Sequence, residues 1–127
     1  MIKLDWDNIA YSQMGERLKD IKSYQAFREI RVYSSASLDG FHVEIEAFFR
    51  IPQEVNFQYR YNFKDDLNRL CMDMLFFKHN GHLETRDILH EFKEKTKMGV
   101  TRKFRRKLLF IYHRLDNNDE WQVMNPK

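Results

Sequence analysis

The stretch from Ile30 to Phe49 limits this chain more than any other. From Phe41 onward apolar residues fall on every second position, Phe41, Val43, Ile45, Ala47 and Phe49, with His42, Glu44 and Glu46 between them. Side chains of a strand alternate faces, so one side of this strand is core and the other is polar. Ile30 to Tyr33 reads as a shorter strand before it, and Ser34 to Gly40 as a polar turn joining the two. A histidine just beyond a Ser/Gly turn, on the polar face of a strand, is a seat for a phosphate.

The neighbouring segments repeat the logic. Ile2, Leu4 and Trp6 alternate with Lys3, Asp5 and Asp7, which is the pattern of a half-buried strand. Ser12 to about Phe27 carries Met14, Leu18, Ile21, Tyr24 and Phe27 at helical spacing, with Ser12 as the expected N-cap. Pro52 ends the long strand, and Gln53 to Asn62 is expected as a short helix, although Val55, Phe57, Tyr59 and Tyr61 also alternate as in a strand. Leu70, Met72, Met74 and Phe76 alternate with Arg69, Cys71, Asp73 and Leu75, predicting another strand with Asp73 on its polar side. Asn80-Gly81 is a turn signal. Thr85 to Thr96 has Ile88, Leu89 and Phe92 at helical spacing. The basic run Arg102, Lys103, Arg105, Arg106 and Lys107, with Phe104 inside it, is expected on a helix leading into a hairpin across Asp116 to Asp119.

Strands early, helices between them and a basic end predict an α+β fold: a mostly antiparallel sheet with helices on one face, plus a helical and hairpin C-terminal extension. A length of 127 residues suits a single domain, with 1–78 as its core and 79–127 as the extension. Hydrophobic content of 43% argues against a disordered chain, and a formal charge of +3 permits a polyanionic partner without demanding one. One cysteine, Cys71, leaves no internal disulfide and fits a reducing interior. There is no apolar run of membrane-spanning length, and the first residues lack the apolar core of a signal peptide. The expectation is a soluble cytoplasmic protein with no membrane contact.

If the three strands are neighbours, their polar faces gather Asp5 and Asp7, then His42, Glu44 and Glu46, then Asp73. Carboxylates so close repel unless a cation neutralises them, and Mg²⁺ or Mn²⁺ prefers such oxygen ligands. A metal there would stabilise charge developing as a 3′-hydroxyl attacks an α-phosphate. The basic run would contact a phosphate backbone without sequence preference, and Phe48, Tyr59 and Tyr61 could stack bases.

Leu4-Asp5-Trp6-Asp7, then Ser34-Ser35-Ala36-Ser37-Leu38-Asp39-Gly40-Phe41-His42-Val43, then Asp65 to Asp73 resemble, in order and spacing, the three motifs of the archaeo-eukaryotic primase superfamily. The resemblance covers about residues 2 to 77. It departs from the family at Leu38, where a second glycine is usual, and at Asp39, where a basic residue is common. It implies a sheet related to the RNA-recognition-motif (RRM) fold, Asp5, Asp7 and Asp73 as catalytic metal ligands, and Ser35 or Ser37 with His42 on the phosphates of an incoming nucleotide. It further implies a minimal or degenerate relative of the kind found on archaeal plasmids and viruses, acting in replication, with DNA in preference to RNA as partner.

Two other functions stay open at this level. One is a non-catalytic nucleic-acid-binding or regulatory protein that uses Thr85 to Val123. The other is a nicking replication initiator, which would need His42 with Glu44 on a metal and Tyr59 or Tyr61 as nucleophile.

Overall fold

The computed structural model describes residues 1–35, 39–81, 92–97 and 100–124, and the side chains among these except 92–104. Ser37 lies outside the described residues, as do residues 85–91 of the expected C-terminal helix.

The chain opens with β1 (Ile2–Asp7), crosses through α1 (Tyr11–Lys22) to β2 (Phe27–Ser34), and turns back as β3 (Gly40–Ala47). β3 lies between the other two and pairs antiparallel with both, so β1-α1-β2 is a split βαβ unit with the third strand in the gap. The fold is α+β, as the alternation of β1 and β3 predicts, and RRM-like, as the resemblance implies. Ile2, Leu4, Trp6, Val43, Ile45, Ile30 and Val32 line one face of the sheet, and Met14, Leu18 and Ile21 of α1 cover it. All of these are buried. The helix begins one residue before Ser12, with the Gln13 side chain accepting a hydrogen bond from Ala10 N at 2.9 Å. It stops at Lys22, and Phe27 already belongs to β2.

α2 (Gln53–Asn62) forms where a short helix is expected, and Tyr59 and Phe63 reach from it into the aromatic end of the core. The expected strand at Leu70 to Phe76 is instead α3 (Leu67–Asn80). Its start is fixed by Asp66, whose side chain accepts from Arg69 N at 3.0 Å, and its end by Gly81 at φ 73°, the left-handed stop that favours glycine. The alternation is a coincidence: Met72 and Met74 are exposed, while Leu70 and Asp73 face inward three residues apart.

The basic segment is also not helical. β4 (Phe92–Lys97) and β5 (Val100–Arg105) form a separate hairpin, and β6 (Lys107–His113) joins the main sheet beside β2. Leu109, Phe110 and Tyr112 of β6 pack on the core, which is why this run is a strand. The hairpin across Asp116 to Asp119 forms as expected, with β7 (Gln122–Met124) at the sheet edge. The five-stranded order is therefore β1-β3-β2-β6-β7. No helix among the described residues is long and apolar enough to cross a membrane.

At the opposite edge, β1 has no strand beyond it among the described residues. The α2–α3 corner takes that place: Asp5 N donates to Asp65 Oδ1 at 2.8 Å, Asp66 N to Asp5 O at 3.2 Å, and Arg69 Nη1 to Lys3 O at 3.0 Å. Unpaired strand edges invite association, and here polar side chains and backbone from the corner satisfy the edge.

Candidate metal and nucleotide site

The pairing of β1 with β3 places Asp5 opposite His42 and Asp7 opposite Gly40, on the face away from the core. Gly40 is required there: a Cβ would sit 2.2 Å from Trp6 O and 2.9 Å from Asp7 Cα. The close approach holds the Ser/Gly turn against the end of β1, where Asn8 N donates to Asp39 O at 2.7 Å and Ser35 N to Gly40 O at 2.9 Å.

Three carboxylates meet at this end: Asp5, Asp7 and Asp66 each offer an oxygen, all within 4.8 Å of one another. His42 Nε2 stands 3.7 Å from Asp5 Oδ1. Asp5 Oδ1 is buried with no hydrogen-bond donor among the described residues. Burial, then the neighbouring Asp7 charge, pushes the Asp5 carboxyl up to about 7, only partly opposed by Arg69. Asp7 is also raised, chiefly by burial and by Asp39 and Asp66, although a hydrogen bond from Asp5 favours its ionised form. The pair thus shares a proton carried on Asp5, as crowded carboxylates do. An all-oxygen donor set with an unsatisfied buried oxygen and too much negative charge fits a hard divalent cation.

Asp73 is elsewhere. Its carboxylate is buried on α3 and bound by Arg60 Nη2 at 2.9 Å, while Arg60 Nε bonds Asp65 Oδ2 at 2.7 Å and Arg69 Nη1 bonds the same oxygen at 2.9 Å. Arg60 is fully buried. Asp73 is thus partnered by this guanidinium and is not among the carboxylates that meet at Asp5 and Asp7, where the resemblance would have it. Burial pushes the Asp65 carboxyl up, and Arg69 and Arg60 pull it back. The carboxylate that does join Asp5 and Asp7 is Asp66. It lies in the third motif of the resemblance, ahead of the aspartate expected there, and its own local signal is its fitness to cap the helix that follows.

The remaining expected residues divide. Ser35 is buried beside the turn, and its hydroxyl hydrogen-bonds Asp39 Oδ1 at 3.3 Å. Glu44 is not solvated: Arg106 Nη1 and Nη2 donate to its Oε2 at 3.2 Å, Arg31 Nη2 stands 3.5 Å from Oε1, and Tyr33 donates to Oε1 at 3.4 Å. Arg106 also lies 4.0 Å over the Tyr33 ring. Of the basic run, Arg106 is therefore engaged within the sheet, Arg105 and Lys107 are exposed, and the side chains of Arg102 and Lys103 lie outside the described residues. Tyr59 is packed in the core, whereas Phe48 and Tyr61 are exposed. No protein-family model, curated protein or solved structure matches this chain.

Proposed function

We propose that the chain is a small primase-like protein that binds nucleotide and nucleic acid, with Mg²⁺ or Mn²⁺ held by Asp5, Asp7 and Asp66. Its chemistry would be metal-dependent nucleotidyl transfer in the replication of a mobile element, on DNA in preference to RNA. The support is the meeting of three carboxylates from two elements beside a buried histidine, on the face of an RRM-like sheet away from its apolar core. A bound cation would supply charge neutralisation at the reacting phosphate. Ser35 and His42 face the same end of β3 and are suited to hold phosphate oxygens, with Arg105 and Lys107 contacting a backbone. The exposed thiol of Cys71 fits a reducing, cytoplasmic setting.

The hydrogen bond between Ser35 Oγ and Asp39 favours a second reading, a non-catalytic nucleic-acid-binding protein, because it occupies a hydroxyl that phosphate would need. The nicking-initiator reading loses its metal ligand, since Glu44 is bound by Arg106 and flanked by Arg31. Calorimetry separates the first two. Mn²⁺ followed by nucleoside triphosphate should release heat with the parent chain and with Asp73→Asn, and none with Asp5→Asn or Asp66→Asn. If DNA binds while metal and nucleotide give no heat with the parent chain, the non-catalytic reading replaces the first.

A further inference from the structure

A cleft opens at the other end of the sheet from the acidic cluster, where β1 begins, β3 ends and α2 begins. Its volume is about 670 Å³, and its lining includes Lys3, Arg28, Phe49, Arg50, Gln53 and Asn56. That volume is in the range of small-molecule sites, about 300–1,000 Å³.

Two polar atoms of its wall are unsatisfied. Asn56 is only 5% exposed; its Nδ2 donates to Met1 O at 3.1 Å, but its Oδ1 accepts from nothing among the described residues. One turn earlier, Gln53 Nε2 is buried and donates to none of them either. Buried amides are rarely left so, and together they offer one acceptor and one donor side by side on the same helix face. The mouth has a different chemistry. Phe49 is 63% exposed, and Arg28 and Arg50 form no ion pair among the described residues. α2 starts at this cleft from Pro52 with no side-chain cap on its first N–H groups, which favour an anion, and Glu54 is the acidic residue of that first turn. Glu46 also lines the cleft, with its carboxylate 3.9 Å from Arg31.

We propose that this cleft binds a 5′-nucleotide unit, free or within a single strand. The base stacks on Phe49, its edge pairs a donor with Asn56 Oδ1 and an acceptor with Gln53 Nε2, and its phosphate meets Arg28, Arg50 and the start of α2. Amide side chains read base edges in this paired way, and aromatic rings with arginines bind single strands. The cleft is formed by residues other than the acidic cluster, so its occupancy needs no metal.

The test is a titration of the isotope-labelled full chain in EDTA, once with AMP and once with a short single-stranded oligodeoxyadenylate, read at the side-chain amide resonances of Gln53 and Asn56. Both amides should shift, and Phe49→Ala or Arg50→Ala, at exposed positions, should weaken binding about tenfold, the effect of losing one stack or one charged contact. Asp66→Asn should leave it unchanged, so failure of the metal site and failure of this one are told apart. Tighter binding of the oligonucleotide identifies a strand as the ligand, and tighter binding of AMP a free nucleotide. Amide resonances that stay still with both probes, or affinities that survive both exposed substitutions, overturn the assignment.

Discussion

Asp5 is the residue at which the fold carries a visible cost. Its carboxyl titrates near 7 in the folded chain against an ordinary 3.8, so above neutral pH it is ionised in both states and only the folded state bears the crowding. As pH falls through 7 the folded chain binds a proton that the unfolded chain does not, and stability rises until the unfolded carboxyl titrates as well. Metal-free protein should therefore melt at higher temperature at about pH 5 than at about pH 8 as far as this site decides it, and Asp5→Asn should flatten that slope. At the alkaline end the variant should be more stable than the parent by about 1 kcal/mol, the usual gain from relieving a strained site. A second residue-scale test concerns Gly40. Gly40→Ala forces a methyl against Trp6 O and should cost about 1–3 kcal/mol in urea unfolding. Strand alternation makes Asp5, Asp7 and His42 legible in the sequence, because period two assigns a face without knowledge of partners. Asp66 is not legible there. In a doublet of aspartates, which one joins the acidic pair and which bonds Arg60 and the β1 backbone is decided by the helix that begins there.

At the scale of elements, α3 shows how a short segment can satisfy two periods at once. Leu70, Met72, Met74 and Phe76 alternate, yet the buried pair is Leu70 and Asp73, and the deciding signals lie at the ends, Asp66 before and Gly81 after. The basic strands hide from a sequence reading for a related reason. The pairing of β2 with β6 shifts register between Val32 and Tyr33, so Leu109 and Phe110 both pack against the core and the clean alternation of a strand is broken. What joins α2 to α3 is the buried Arg60 between Asp65 and Asp73. Arg60→Ala leaves buried Asp73 without its guanidinium partner and takes one of two from Asp65, and should cost about 3–5 kcal/mol in denaturant unfolding. Asp73→Asn keeps a polar acceptor for Arg60 and should cost less, with no loss of Mn²⁺ heat. Arg106→Ala takes the two-nitrogen contact from Glu44 and leaves it Arg31 and Tyr33, so it should lower stability yet leave the salt dependence of the proposed DNA binding intact, unlike Lys107→Ala, which should make that dependence shallower.

For the molecule as a whole, the edge of β1 decides whether the sheet ends or continues into a neighbour. The α2–α3 corner closes it through Asp65, Asp66 and Arg69. Asp65→Ala should loosen the corner and expose the strand, giving association that grows with protein concentration and is measurable by light scattering. Asp65 and Asp66 thus answer to different pressures although they are adjacent. A descendant without the proposed metal chemistry would still be bound by solubility to keep the first carboxylate. At the second it could drift to serine or asparagine, which still start a helix but make a poorer home for a cation. If the proposed metal site is real, an aspartate retained at position 66 across relatives of this chain would therefore mark the lineages that still hold a cation.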